Sequence, residues 1–263
     1  MKVKLLEKDG KSIKFEVKDT TPTFVNALRR SMLNSVNVMA ADFVDVIKNN
    51  ATLYNEVIAH RIGMIPLTFK QGDYNTTENC ACKGVGCSKC IVKFVLKKKG
   101  PGSVYSGDIR STDDTVQPTD KNILITKLAE DEEIDLEFTA RLGTETKHAR
   151  WQSAVIGYQY YPELKVKSSC DLCGVCIKKC NKKLLSEAKA GKKIELDEPY
   201  KCDLCKNCAA SCPNLALTVD GDPSHIIMTV ESVCGLAPKD IVLSAAEALG
   251  SDLKEVREQV KDL

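Results

Sequence analysis

The sequence predicts a mixed α+β fold that is interrupted by a cysteine-rich segment, and three observations lead to this prediction. The first residues alternate apolar and polar side chains on either side of Asp9-Gly10, which is typical of a β-hairpin. The C-terminal residues place apolar side chains every three or four positions, which is typical of a helix. Between these ends, eight cysteines recur at regular spacing from Cys170 to Cys212.

The composition allows one large domain or roughly two or three small ones. The chain has 263 residues, of which 43% are hydrophobic and 5% aromatic, as in ordinary globular cores. Its 38 Lys and Arg residues nearly balance 36 Asp and Glu residues, which leaves a formal net charge of +2. Proteins that read the sequence of duplex DNA usually have a basic face that displaces several counterions from the phosphates. Sequence-specific DNA contact is therefore not expected.

The predicted hairpin carries alternating apolar residues on both strands. Val3 and Leu5 lie on the first strand, and Ile13, Phe15 and Val17 lie on the second. An Asp-Gly pair between two such runs is a strong short-range hairpin signal. The chain is therefore expected to open as two antiparallel strands.

A helix is predicted to follow the hairpin and to end near residue 35. Thr21 can cap its N-terminus, with Pro22 in the first turn. Apolar residues at i, i+4 and i+8 give it one apolar face, formed by Phe24, Leu28 and Met32.

Further elements follow from apolar runs and turn residues. A strand is predicted at 38–47, and a short helix at 55–62 is stopped by Gly63 with Pro66 beyond it. More strands are predicted at 91–96, 123–126, 134–140 and 225–230.

A last helix is predicted from Pro238 to the C-terminus. Its apolar residues are spaced 3, 4, 4, 3 and 4 apart, which gives one continuous stripe: Val242, Ala245, Leu249, Leu253, Val256 and Val260. Such a stripe packs on its own domain or docks a second subunit. The pattern alone leaves both interpretations open.

The eight clustered cysteines read C-x2-C-x2-C-x3-C twice. This is the spacing of two-cluster bacterial ferredoxins, in which three cysteines of a run hold one cube and the fourth binds the other cube. Two [4Fe–4S] clusters are therefore expected. One would be held by Cys170, Cys173, Cys176 and Cys212, and the other by Cys202, Cys205, Cys208 and Cys180.

Two alternatives compete with iron–sulfur binding at these cysteines. Zinc ribbons usually use C-x2-C pairs rather than triples. Disulfides are disfavoured because the N-terminus has no apolar leader and the chain has no long apolar run, so a cytoplasmic protein without a membrane segment is expected. One departure from the ferredoxin pattern is Asn181, which follows Cys180 where such runs often have proline.

A second candidate metal site has the spacing C-x-C-x4-C-x2-C, and its ligands are Cys80, Cys82, Cys87 and Cys90. Four thiolates within one short loop can surround a tetrahedral Zn²⁺ and stabilise a loop that is too small to have its own core. Gly84 and Gly86 would let the backbone fold back. Reduced or redox-active thiols and a third iron–sulfur site are the alternatives to zinc.

No catalytic motif is present. The sequence contains no P-loop, no G-x-G-x-x-G and no nucleophile motif. His60, His148 and His225 are scattered and are interpreted as structural hydrogen-bonding residues. Cys234 follows the last predicted strand in an apolar context and is interpreted as a buried thiol.

Three ordered motifs resemble one family. They are NALRR at Asn26–Arg30, HRIGMIPL at His60–Leu67, and the run from Ile123 through HARW at His148–Trp151 to GYQYYPE at Gly157–Glu163. Together they resemble the alpha-type assembly subunits of multisubunit RNA polymerases. HARW is similar to the archaeal and eukaryotic branch, and a ferredoxin-like insert points to the archaeal, D-type members of the family.

The resemblance implies a discontinuous architecture. A dimerisation domain is expected from residues 1–39 plus 224–263, with an inserted β-rich domain at 40–166 and a ferredoxin-like domain at 167–223. The family pairs through its dimerisation domain with a small alpha-like subunit. The expected contacts are Phe24, Leu28, Met32, Leu249, Leu253 and Val256, while Arg29 and Arg30 match a family arginine pair near the large catalytic subunits.

The resemblance also implies a non-catalytic role, because the family's magnesium-binding aspartates belong to the largest subunit. An assembly scaffold is the leading hypothesis. An electron-transfer protein with an extra domain and a redox or oxygen sensor remain as alternatives, and the sensor is compatible with the scaffold.

Overall fold

The computed structural model describes residues 1–187 and 194–261 and has a mixed α+β fold. Its contacts divide the chain into two compact units. Unit 1 comprises Met1–Lys8, Ile13–Ala27 and Gly157–Thr229, and unit 2 comprises Asp9–Ser12, Leu28–Ile156 and Val230–Leu263. The helices are α1 (Pro22–Asn34), α2 (Asn55–Gly63), α3 (Val175–Lys179), α4 (Asn207–Ala210) and α5 (Pro238–Lys261).

The strands form two four-stranded and two two-stranded sheets among the described residues. The strands are β1 (Lys2–Lys8), β2 (Ser12–Lys18), β3 (Val38–Asn49), β4 (Ile91–Lys99), β5 (Gly102–Tyr105), β6 (Arg110–Ser111), β7 (Leu124–Leu128), β8 (Glu133–Gly143), β9 (Ala154–Val166), β10 (Leu185–Glu187), β11 (Ile194–Leu196) and β12 (Leu217–Ser232). The sheet orders are β1-β2-β12-β9, β3-β8-β4-β6, β10-β11 and β5-β7.

The N-terminal hairpin is present as predicted, with β1 and β2 antiparallel. Phe15 and Val17 on β2 are buried, whereas Val3 and Leu5 on the edge strand β1 are exposed. Only β2 therefore contributes its apolar residues to the core.

Helix α1 begins as predicted, because the Phe24 backbone N–H donates to Thr21 Oγ1 at 3.3 Å. Its buried stripe differs from the expected one. Val25, Leu28 and Met32 are buried, whereas Phe24 is 40% exposed. Val25 precedes Leu28 by three positions and Met32 by seven, so these three residues share one helix face and Phe24 lies to its side.

The sheet β3-β8-β4-β6 forms the centre of unit 2. Alternate residues of β4 and β8 point into its core, and the Phe94 and Phe138 rings stack with centres 4.9 Å apart. Fully buried side chains on these strands include Phe94, Leu96 and Leu136. The short helix α2 packs against β3.

The HARW segment ties β3 to β8. The Arg150 guanidinium donates to the carbonyl oxygen of Ala41 at 3.0 Å. The backbone N–H of Arg150 donates to His148 Nδ1 at 3.1 Å. The Trp151 indole N–H donates to the Arg141 carbonyl at 3.2 Å. This family motif therefore has a structural role inside unit 2.

Two long strands, β9 and β12, differ from the sequence prediction. Strand β12 begins at Leu217, eight residues before its predicted start, and β9 was not predicted. His225 Nε2 on β12 lies 2.8 Å from Glu16 Oε2, and the Tyr161 ring stacks on the imidazole with ring centres 3.8 Å apart. His225 is therefore a structural hydrogen-bonding residue, as the sequence indicated.

Helix α5 is anchored near its N-terminal end. Ile241 and Ala245 are buried, and the Ser31 hydroxyl donates to the Ala245 carbonyl at 2.8 Å. From residue 251 to residue 261 every side chain is exposed.

Among the described residues, no helix has the length and apolar character needed to cross a membrane.

Candidate metal centres

The first candidate centre is the loop from Cys80 to Cys90, which leads directly into β4. Gly84 and Gly86 have φ values of +85° and +95°, so the backbone turns back in a conformation that favours glycine. A Cβ atom on Gly86 would also lie 3.1 Å from the Ile91 side chain. These two glycines therefore have the role that the sequence indicated.

The loop brings all four cysteine sulfurs together. The Sγ–Sγ distances are 3.5 Å for Cys80–Cys87, 3.5 Å for Cys82–Cys90 and 3.8 Å for Cys87–Cys90, and all four atoms lie within 4.8 Å of one another. A tetrahedral ion with Zn–S bonds of about 2.3 Å holds its sulfurs about 3.8 Å apart. The loop thus has the geometry of a four-thiolate site for one metal ion.

The thiols of this loop differ in acidity. Backbone hydrogen bonding from Gly86 and the neighbouring Cys80 thiol lower the pKa of Cys82 to about 6. Burial raises the pKa of Cys90 to about 12. Because a metal binds thiolates, binding in this loop has to release the proton that Cys90 holds.

The eight remaining clustered cysteines line two separate cavities in unit 1. One cavity, called site A, is lined by Cys170, Cys173, Cys176 and Cys212. The other, called site B, is lined by Cys180, Cys202, Cys205 and Cys208. The structure thus groups the thiols in the two crossed sets that ferredoxin spacing predicts.

The spacing of these thiols differs from that of the loop. Among the described residues, the loop cysteines are the one group of three or more potential ligands whose atoms all lie within 4.8 Å. The thiols of sites A and B are therefore farther apart than those around a single ion. A cube with four irons between four thiolates requires such a wider arrangement.

The backbone around the two sites repeats with an offset of 32 positions. Each cysteine from Cys170 to Cys180 has a counterpart 32 residues later. The offset also relates Leu172 to Leu204, with φ values of 59° and 56°. The Leu184 N–H donates to Cys180 Sγ at 3.4 Å, and the equivalent Ala216 N–H donates to Cys212 Sγ at 3.3 Å.

Backbone N–H groups aimed at cysteine sulfur stabilise thiolates and are one of the features that tune iron–sulfur clusters. Burial raises the pKa of Cys176, Cys202 and Cys208, so these thiols hold their protons without a metal. All thirteen cysteines lie within the described residues and are free thiols. The donor sets of sites A and B therefore fit cluster ligation.

Among the described residues, the apolar core around sites A and B is small. One cluster of buried residues consists of Cys176, Leu185, Ile194 and Leu217, and Leu184, Ala216 and Val219 are buried as well. A core of this size gains limited stability from the hydrophobic effect. Metal–thiolate bonds at these cysteines would add to the folding energy of the segment.

Some supporting residues could not be identified from the cysteine spacing. The Gln159 side chain on β9 donates to the carbonyl oxygens of Tyr200 and Cys202 at 3.0 and 3.4 Å, which holds the start of the second cysteine run. Asp171 accepts the Cys173 N–H at 3.2 Å. The identical Cys-Asp-Leu-Cys tetrads at Cys170–Cys173 and Cys202–Cys205 were the available signal for Asp171 and its counterpart Asp203.

The residues expected at a subunit interface divide into two groups. Met32 is fully buried and Leu28 is nearly so, which means that both pack inside this chain. The exposed or half-buried members are Phe24, Arg29, Arg30, Leu249, Leu253 and Val256.

The comparisons with known proteins agree with one another. Residues 36–157 match the family model described as RNA polymerase Rpb3/RpoA insert domain. The chain is 34% identical over 258 residues to DNA-directed RNA polymerase subunit Rpo3 of Methanosarcina acetivorans, covering 97% of both chains. It is 34% identical over 262 residues to the Rpo3 subunit of Archaeoglobus fulgidus, covering 99% of this chain and 98% of the relative. The Rpo3 subunit of Methanothermobacter thermautotrophicus is 35% identical over 261 residues, with 97% of each chain covered.

Proposed function

The chain belongs to the archaeal RNA polymerase alpha-type subunit (Rpo3/D) family, and from this premise we propose that it is a non-catalytic assembly subunit. It is a subunit of DNA-directed RNA polymerase, a nucleotidyltransferase complex, and its partners are other subunits of that complex. In the proposal it pairs with a small alpha-like subunit, and the pair docks the large catalytic subunits. The absence of a catalytic motif from the sequence supports this role.

The observation that carries the pairing proposal is the uncovered apolar stripe on the last turns of α5. Leu253 is 64% exposed, Val256 is 57% exposed and Val260 is 59% exposed. These residues lie three or four positions apart and therefore share one face of the helix. An exposed apolar stripe on a long terminal helix is suited to packing against a second subunit.

The first helix contributes differently in this proposal. Leu28 and Met32 hold α1 inside the chain, while Phe24 remains 40% exposed and available for a partner. Arg30 is exposed, and Arg29 is half-buried. The arginine pair is proposed to face the large catalytic subunits.

The proposed domain organisation assigns one task to each part of the chain. Residues 1–39 plus 224–263 form the dimerisation domain, residues 40–166 form the β-rich insert, and residues 167–223 form the ferredoxin-like domain. The match of residues 36–157 to the insert-domain family supports the central assignment.

Two [4Fe–4S] clusters are proposed at sites A and B, and one Zn²⁺ at the Cys80–Cys90 loop. When bound, these groups supply metal–thiolate bonds that also stabilise folding. The small core beside Cys176 supports a stabilising role for the clusters, and the short Sγ–Sγ distances support zinc in the loop. Redox tuning of assembly would follow if loss of a cluster loosened residues 167–223.

The ferredoxin alternative is not favoured. An electron carrier would use residues 167–223 and would need no other domain. The similarity to Rpo3 subunits instead extends over 97% or more of this chain in the three relatives named above. A polymerase role accounts for the whole chain.

Pairing is tested by co-expressing the tagged chain with the small alpha-like subunit under anaerobic conditions. The double variant Leu253→Asp and Val256→Asp is expected to lose the partner on affinity purification, because two charges replace apolar contacts. Each buried apolar anchor contributes about tenfold or more to affinity. The matched control, Glu255→Ala with Glu258→Ala on the opposite face of α5, is expected to retain the partner. Equal recovery by both variants would contradict the proposed pairing surface.

Metal content is tested on the anaerobically purified complex. About eight irons, eight labile sulfides and one zinc per chain are expected from two cubes and one four-thiolate site. Cys82→Ser and Cys87→Ser together should remove zinc and leave iron unchanged. Loss of iron rather than zinc from that double variant would show that the loop holds a third iron–sulfur site.

A further inference from the structure

The two cluster sites share a backbone repeat but differ in charge. We propose that site B has the higher reduction potential and receives the first electron, because lysines at positions 182 and 206 favour its reduced state. This inference rests on the proposed occupancy of both sites by [4Fe–4S] clusters.

The internal repeat provides the comparison. Lys182 and Lys206 both line site B. The 32-residue offset places Asn214 at the position equivalent to Lys182, and Gly174 at the position equivalent to Lys206. Two positively charged residues at site B thus correspond to two uncharged residues at site A.

Lys182 is fixed beside site B by two contacts. Its Nζ donates to the Lys201 carbonyl at 2.9 Å and lies 3.2 Å from Asp203 Oδ2. Asp203 also lines site B. At site A, the equivalent Asp171 lines the cavity and has a hydrogen bond from Asn214 instead of an ammonium partner. Each site therefore has one aspartate, but only the aspartate of site B is neutralised.

Lys206 occupies the same left-handed backbone position as its counterpart. Its φ is 59°, and that of Gly174 is 71°. Lys206 Nζ pairs with Asp220 Oδ1 at 2.8 Å, which offsets part of its charge. Asp220 itself does not line the cavity of site B, whereas Lys206 does.

A residue that follows Cys180 adds to the same asymmetry. Lys183, three positions after Cys180, is exposed. Its counterpart after Cys212 is the uncharged Leu215. Lys178 and Lys179 do not distinguish the sites, because they lie between Cys176 of site A and Cys180 of site B.

Reduction adds one negative charge to a cluster. The step is [4Fe–4S]²⁺ plus one electron giving [4Fe–4S]¹⁺, with no bond broken and with the electron supplied by a low-potential one-electron donor. Nearby ammonium groups stabilise the added charge, and an unneutralised carboxylate destabilises it. Lys182 and Lys206 favour reduction at site B, and Asp171 opposes reduction at site A.

The test uses an EPR-monitored redox titration of the anaerobically purified full chain with its small partner subunit. The expected parent behaviour is reduction in two waves. Cys205→Ser should remove the wave at higher potential, and Cys173→Ser should remove the wave at lower potential. These two exposed cysteines are equivalent positions of the repeat. Loss of the higher wave in Cys173→Ser would overturn the assignment.

Residue exchanges between the sites test the lysines without removing a ligand. Lys182→Asn with Lys206→Gly should move the higher wave down toward the lower one at unchanged iron content. The reciprocal Asn214→Lys with Gly174→Lys should move the lower wave up. Lys2→Asn, on β1, is the control and should move neither wave. Unchanged waves in the first exchange, at parental iron content, would overturn the proposal.

Iron content and subunit recovery separate this inference from the proposed function. A parent chain without about eight irons would overturn both the cluster assignment and this inference. Co-purification with the small alpha-like subunit would still support the assembly role. If the parent chain has full iron content but does not bind the small subunit, the assembly role is overturned. The inference about site B is then decided by the two reduction waves alone.

Discussion

Met32 was expected at a subunit interface but is fully buried in this chain. A substitution at Met32 should therefore lower the stability of the chain without removing a contact to a partner subunit. The Met32 carbonyl oxygen accepts a hydrogen bond from the hydroxyl of Ser153, which is also fully buried, at 2.6 Å. Replacement by alanine removes buried side-chain atoms and leaves a cavity. For a fully buried methionine this costs about 2 to 5 kcal/mol in the free energy of unfolding.

The assay is urea denaturation of the isolated chain, prepared anaerobically and monitored by the fluorescence of its single tryptophan, Trp151, which lies in the same unit as Met32. Met32→Ala is expected to unfold at lower urea, whereas Met32→Leu should cost less than about 1.5 kcal/mol because it nearly preserves volume. Val256→Ala, at a residue 57% exposed, should change stability by at most about 0.5 kcal/mol. Partner binding should show the opposite order and weaken most in Val256→Ala. A stable Met32→Ala chain that no longer binds its partner would refute this reasoning.

Three further predictions concern unit 2. Gly143→Ala should destabilise the chain by about 1 to 3 kcal/mol in urea denaturation, because a Cβ atom would lie 2.5 Å from the Trp151 ring. Arg150→Ala should cost roughly 2 kcal/mol or more in the same assay, because it leaves the buried Ala41 carbonyl without its charged donor; an effect below about 0.5 kcal/mol would contradict the structural role of HARW. A chelator that removes the zinc proposed for the Cys80–Cys90 loop should speed tryptic cleavage after Lys83, measured by mass spectrometry, while cleavage within β8 stays slow.

Local patterns were sufficient to predict the elements that carry strong signals. The hairpin around Asp9-Gly10, the start of α1 at Pro22 and the start of α5 at Pro238 were all predicted. Turn and capping residues act on their immediate neighbours, so their effect can be read from short segments.

Elements that depend on distant partners were harder to predict. Strand β9 pairs with β12 in a sheet whose members are far apart in sequence, and it was missed. The sequence did not identify Val25 as the residue that joins Leu28 and Met32 on the buried face of α1, because the spacing of apolar residues fits either side of the helix and tertiary packing selected Val25. Such choices are decided by contacts between elements rather than by propensity.

At the metal sites, ligand identity and the environment of the ligands differ in how they are encoded. Spacing alone groups Cys170 with Cys212 and Cys180 with Cys202, because a fixed motif has few ways to wrap a cube. The charge around a site instead depends on side chains from both halves of the repeat. Lys182 reaches Asp203 across the repeat, and no spacing rule for cysteines includes that contact. A duplicated motif can therefore keep its backbone and its cysteines while a few exchanged residues give the two sites different charge surroundings.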